Sequence, residues 1–209
     1  MLMVIERKFI DNSFVKYRIT KYLEKTLARA GFSKVEIQKT PIITRITVYV
    51  SAPGRVIGRG GETINALTES LKTKFRIENP QIAVSEVANP KLEPRLVAKN
   101  IANSLERGGN ARSILHAVVK DIMANGAMGA EIIAAGKLAA KGAKKRIIKV
   151  RLGYMPKAGD TVKLVDEAKL TSYPKYGAIG LKVRIVQPGT VFPDREAKKV
   201  DLPKNFATT

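Results

Sequence analysis

The segment Arg55-Val56-Ile57-Gly58-Arg59-Gly60-Gly61 holds residue types at a spacing that can bind a ligand. Glycines let a partner come close to the backbone with no Cβ in the way. The apolar spacing of Ile64, Leu67, Leu71 and Phe75 predicts a helix over about Glu62 to Lys74, starting where the glycines end. The free N–H groups of its first turn then point at whatever the loop holds, and Arg55 and Arg59 add positive charge. Such a set can hold sugar-phosphates without covalent chemistry. It does not match nucleotide fingerprints. Gly58-x-Gly60-x-x-Thr63 lacks the third glycine of a dinucleotide loop and follows what reads as a helical turn, not a strand. Gly136-Lys137 lacks both the upstream glycine and the following Ser or Thr of a P-loop.

The second candidate is Lys137 to Arg151, KLAAKGAKKRIIKVR, with seven basic residues and no acid. A solvated surface mixes charge signs, so an unmixed run reads as a phosphate contact surface in which Lys137, Lys141, Lys144, Lys145 and Arg146 act as a group. Alternation over its end sends Lys149 and Arg151 to one face and Ile148 and Val150 to the other. The whole chain points the same way. Its 209 residues carry 38 Lys and Arg against 18 Asp and Glu, a net charge of +20 with a pI near 10.2. The excess is +7 through Pro90 and +13 beyond it. A polynucleotide neutralises such charge by releasing condensed counterions. An anionic membrane would call for a basic helix with bulky apolar anchors, and Trp is absent.

Several classes are excluded. Without Cys there is no disulfide framework, thiolate zinc site or cysteine nucleophile, and one His cannot build the usual His-based metal cluster. No run of eighteen apolar residues is present. The first residues reach Glu6-Arg7-Lys8 too soon for a secretory signal. No cofactor is expected, and a catalytic lysine or carboxylate pair cannot be placed. Six scattered tyrosines make no stacking platform, so affinity should come mostly from phosphate contacts.

These groups need elements to hold them. Asp11-Asn12-Ser13 offers caps for a first helix whose apolar stripe is Val15, Ile19, Tyr22, Leu23, Leu27 and Ala30, stopped by Gly31. Lys34–Gln38 and Thr44–Val50 alternate as a β-hairpin, and Ile82–Val87 as a third strand after Asn79-Pro80. Past Asn89-Pro90, helices over Leu96–Leu105 and about Ala111–Asn125 begin a second domain. Strands follow at Ala130–Ala135, near Ile147–Leu152, around Val162–Leu170 and at Ile179–Val186. The fold class is α+β in two domains. The N-terminal one is an α/β layer; the C-terminal one has two helices and a mainly antiparallel four-stranded sheet.

Helix, hairpin, Val56-Ile57-Gly58-x-x-Gly61, helix and strand together resemble a K-homology (KH) domain of the second topological type. The segments Gly126-Ala127-Met128-Gly129-Ala130-Glu131-Ile132, Gly136-Lys137-Leu138 and Tyr176 to Ile185 are similar to the C-terminal half of the S-three family of small-subunit ribosomal proteins, in its archaeal branch. The resemblance implies a KH domain over 1–90, an S-three C-terminal-like domain over 91–187 and a disordered tail over 188–209. It places RNA at Ile57, Gly58, Arg59, Gly60, Gly61 and Ile64. It further implies a cytoplasmic, non-enzymatic constituent of the small ribosomal subunit. Its partners would be ribosomal RNA, messenger RNA at the mouth of its channel and neighbouring head proteins, with no membrane. The family's basic cluster on the second domain's helix maps to Arg112, Ser113 and His116, of which the first matches; Lys120 or Lys141 to Arg146 would supplement it. Two alternatives stay open: a free KH regulator of messenger RNA and a DNA-repair lyase acting through a lysine amine.

Overall fold

The computed structural model describes residues 2–40, 43–75, 77, 79–138, 144–175 and 177–192. It divides into two compact units, Met1–Lys99 and Asn100–Thr209. Residues 188–192 of the expected tail are described; 193–209 lie outside the described residues.

In the first unit, helix α1 spans Leu2–Thr26. This corrects the expected start: Asp11, Asn12 and Ser13 lie inside the helix rather than capping it. Residues 2–10 contain no Gly or Pro, and a few polar residues mid-helix cost only tenths of a kcal/mol each, so nothing halts the helix there. Among its described side chains Ile19, Leu23 and Leu27 form a buried stripe, whereas Val15 is 38% exposed. A 3-10 turn, Ala28–Ala30, closes on Gly31 in the left-handed region. Strands β1 (Phe32–Lys39) and β2 (Thr44–Val50) form the expected antiparallel hairpin. Strand β3 (Pro80–Glu86) pairs in parallel with β2, which lies in the middle of the three.

The period-2 pattern of β2 decides which face is covered. Ile46, Val48 and Val50 are fully buried against Leu67 and Leu71 of helix α3 (Glu62–Phe75) and against the α1 stripe. Tyr22 and Phe75 meet edge to face at 5.6 Å, tying α1 to α3. Helix α4 (Pro94–Glu106) starts in this unit. There the Arg95 guanidinium donates to the Ser33 carbonyl at 3.1 Å, and the Lys99 ammonium donates to the Ala28 carbonyl. Burial lowers the Lys99 pKa, and the Glu24 carboxylate opposes that shift.

In the second unit, helix α5 (Ala111–Ala124) starts from Asn110, whose side-chain oxygen accepts the Arg112 backbone N–H at 3.1 Å. The sheet contains β4 (Gly129–Gly136), β5 (Arg146–Gly153), β6 (Asp166–Ser172) and β7 (Ile179–Val186) in the order β5-β4-β7-β6, all antiparallel. The strand expected around Val162–Leu170 starts later. Gly159 turns the chain, Thr161 Oγ1 donates to the Ala158 carbonyl at 3.0 Å, and Asp160–Leu164 forms a 3-10 turn despite its β-branched residues. One sheet face buries Ala130, Ile132, Ala134, Leu181, Val183 and Ile185 together with Leu115, Val119 and Ile122 of α5.

Candidate nucleic-acid interface

The Gly-rich loop is built by two helices that nearly touch end to end. Helix α2 (Pro53–Ile57) is short, and Pro53 sits in its first turn, where a missing N–H costs nothing. The helix ends at Gly58, whose N–H bonds the Gly54 carbonyl at 3.0 Å. Gly58 (φ 75°, ψ −175°), Gly60 (φ 60°) and Gly61 (φ 82°) all adopt positive φ, so the chain reverses and α3 begins at Glu62. The glycines differ in what surrounds them. A Cβ on Gly58 would stand 2.2 Å from Thr63 Oγ1, whereas one on Gly60 would meet nothing within 4 Å. Internal packing therefore requires Gly58, while the space beside Gly60 is open to a ligand.

Arg59 is exposed, Ile57 is 43% exposed and Ile64 is half-buried. Arg55 is exposed too, but its Nη1 donates to the Arg29 carbonyl at 3.0 Å, which pins α2 to the end of the first helical segment. Beside the loop runs a groove of about 600 Å³ between α3 and the edge strand β3. Ile64 and Ile82 give it an apolar floor, and Asn65, Thr68, Gln81 and Arg45 supply hydrogen-bonding groups. Ile64 links the loop to this groove: it lines the groove, and a Cβ on Gly61 would stand 3.9 Å from its Cγ2. The sequence reading missed Arg45, Asn65, Thr68 and Gln81. The alternation of the third strand placed Gln81 opposite Ile82 and could have flagged it, but only the tertiary fold brings α3 alongside β3.

In the second unit Arg112, His116 and Lys120 recur every fourth residue on α5 and are exposed, while Ala111, Leu115, Val119 and Ile122 are buried. The helix start lies beside β5. A groove of about 490 Å³ there brings Arg112 and Arg146 together over Leu138, Ile147 and Ile148. Lys144 and Lys145, just before Arg146, are exposed; Lys137, just past β4, is half-buried. Lys141 lies outside the described residues. Of the expected residues in the second unit, this groove brings Arg112 and Arg146 together.

Comparison with known proteins fits both units. Residues 18–92 match the KH domain family, and residues 101–185 match the family described as ribosomal protein S3, C-terminal domain. The chain is 41% identical over 192 residues to the small ribosomal subunit protein uS3 of Methanobrevibacter smithii, covering 91% of this chain and 76% of that protein. The uS3 proteins of Methanocorpusculum labreanum (40% identical; 95% and 86% covered) and Methanothermobacter thermautotrophicus (42%; 92% and 74%) are similar to it over comparable spans. The chain belongs to the uS3 family. The two-domain resemblance read from the glycine segments agrees with this membership. Within this family member, the KH match takes in the whole Gly58–Gly61 loop and its groove, and the S3 C-terminal match takes in the Arg112 helix and all four strands up to Ile185.

Proposed function

We propose that this uS3-family chain is a structural, non-enzymatic constituent of the small ribosomal subunit in the cytoplasm. It holds ribosomal RNA of the subunit head through its two cationic sites. It also borders the channel by which messenger RNA enters, through the Arg112–His116–Lys120 line, and meets neighbouring head proteins. The observation that carries the reading is the open side of the Gly58–Gly61 loop. The Gly60 backbone is unobstructed, a helix begins one residue after Gly61, and a groove with an apolar floor runs alongside. That arrangement suits a single-stranded run of sugar-phosphates with bases laid into the groove. In the second unit, the guanidinium forks of Arg112 and Arg146 share one groove and match phosphate geometry.

Sedimentation of a tagged chain in cell lysate tests the assembly: the chain should travel with the small subunit, and its absence from that peak rejects the reading. With roughly 6–10 phosphate contacts, affinity for small-subunit ribosomal RNA should fall about 10³–10⁵-fold between 50 and 200 mM salt, and a flat response rejects it too. Arg59→Asp with Gly60→Asp should remove the contribution of the KH loop. Unchanged binding and assembly would mean the loop is idle in the particle. A photo-crosslinker at position 112 should capture messenger RNA in programmed subunits; capture of ribosomal RNA alone rejects the channel assignment.

A further inference from the structure

The face of the second sheet opposite the one that buries Ala130, Ile132 and Ala134 carries an arrangement that neither site above uses. Register sets its side chains in transverse rows. One row reads Arg151, Glu131, Arg184, Glu167 from β5 to β6; the next reads Lys149, Ile133, Lys182, Lys169. The row beyond is Ile147, Ala135, Gly180 and Thr171. Five cations stand on this face against two carboxylates, and the lysine row contains no acid.

The two carboxylates act as anchors. Glu131, 1% exposed, lies 2.8 Å from Lys149 Nζ and 3.4 Å from Arg184 Nη1. Glu167 accepts Lys182 at 3.0 Å, Lys169 at 3.1 Å and Arg184 Nε at 2.9 Å. Each ammonium has three donors, so one bond to a carboxylate leaves others free. Lys149 and Lys169 are 44% and 71% exposed despite these ion pairs. Neighbouring strands lie about 4.8 Å apart, so the lysine row spans about 14 Å across the sheet. Packing within the unit does not demand small residues beside it. A Cβ on Gly180 would meet only the Ala135 carbonyl, at an ordinary 3.7 Å.

We propose that this face is a further docking surface for the sugar-phosphate backbone of RNA, in which Glu131 and Glu167 preset Lys149, Lys182 and Lys169 as a row of phosphate-binding ammoniums. The inference rests on the ribosomal reading above and adds a surface to it. Charge complementarity selects the occupant: an excess of three positive charges, aligned and partly held in place, fits a dense line of phosphates. An acidic protein would want large apolar anchors at the centre of its contact. The one large apolar side chain well exposed on these rows is Ile147, at the margin.

The test compares the salt dependence of full-length protein binding to a small-subunit ribosomal RNA transcript. The triple change Lys149→Gln, Lys169→Gln and Lys182→Gln should flatten the log–log salt slope by about 2–3, since each phosphate contact contributes about 0.7–0.9. Lys149→Arg, Lys169→Arg and Lys182→Arg should keep the slope. Lys149→Gln with Lys169→Gln leaves Glu167 its Lys182 and Arg184 partners and should flatten it by about 1.5–2, which guards against loss of folding. If the wild type binds with a steep slope and the neutralised variants match it, this inference fails and the ribosomal reading stands. If the wild type itself does not bind the transcript, both fall. If the variants bind the transcript as the wild type does but lose a protein neighbour from assembled subunits, an acidic protein is the occupant and the inference is overturned.

Discussion

The unlike surroundings of Gly58 and Gly60 support a sharp comparison. Gly58 sits at φ 75° and ψ −175°, a region that only glycine enters without strain, so alanine there costs about 1–3 kcal/mol from the backbone. The new Cβ would also press on Thr63, standing 2.9 Å from its Cβ and 3.2 Å from its N in the first turn of α3. The hydroxyl can rotate away but the helix backbone cannot, which adds about 1–2 kcal/mol. Gly58→Ala should therefore destabilise the first unit by about 2–5 kcal/mol. Gly60 lies in the ordinary left-handed region (φ 60°, ψ 16°) with open space around its missing Cβ. Gly60→Ala should cost about 1–2 kcal/mol. Native-state amide exchange at Leu67 and Leu71, buried on α3, reads this unit directly in the full-length chain. Every 1.4 kcal/mol of difference is about tenfold in the opening constant. Equal protection in the two variants, within about 0.5 kcal/mol, would refute the argument that Gly58 serves packing and Gly60 serves access.

Further outcomes follow from single contacts. Burial disfavours the charged form of Glu167, but hydrogen bonds from Lys182, Lys169 and Arg184 outweigh it and hold the carboxyl at about 2, below its usual 4.5. Its stabilisation is therefore complete above about pH 4.5 and disappears as the pH falls through about 2. Glu167→Gln should cost about 1–2 kcal/mol at neutral pH, allowing for solvent screening of a side chain that is 31% exposed, and the gap to wild type should close in acid denaturation curves. Asn110→Ala removes the cap of α5 and should cost about 1 kcal/mol in urea denaturation, whereas Asn110→Gly should cost only a few tenths. Glu106 accepts the Ser172 hydroxyl at 3.2 Å and the Tyr173 N–H at 3.1 Å; Glu106→Ala should lower stability by about 1–3 kcal/mol by the same assay. Arg112→Gln should weaken RNA binding evenly across sequences and reduce the salt slope by about one.

Much of the scaffold was legible because local pattern and tertiary burial agree. Ile46, Val48 and Val50 alternate in the sequence and all three are fully buried; Ile179 to Ile185 alternate and mark β7 from its first residue. The misreadings fall where local chemistry pulls against pattern. Asp11-Asn12-Ser13 looks like a cap but does not stop a helix that already runs from Leu2. Val162–Leu164 reads as the start of a strand, but the turn at Gly159 bends the chain into a 3-10 turn first. The candidate site was legible where its residues are contiguous, at Gly58–Gly61, and along one helix face, at Arg112, His116 and Lys120. The pairing of Arg112 with Arg146, the meeting of Asn65 with Gln81 and the lysine row across three strands depend on register and packing between distant segments, which no local window contains.

The strand order of the second unit bears on how the molecule is made. Among the described strands of this sheet β7 is synthesised after the other three, yet it lies between β4 and β6, and β4 has only β5 beside it until Ile179–Val186 emerges. Until then one side of the apolar segment Gly129–Gly136 presents unpaired N–H and C=O groups, the kind of template that recruits other chains. Closure of this unit thus waits for the synthesis of Ile179–Val186 and depends on long-range pairing, which forms slowly. Nascent chains stalled before Ile179 should be cut rapidly by protease between Asn110 and Ser172, and chains extended past Val186 should resist. Equal resistance at both lengths would show that the sheet closes without its inner strand.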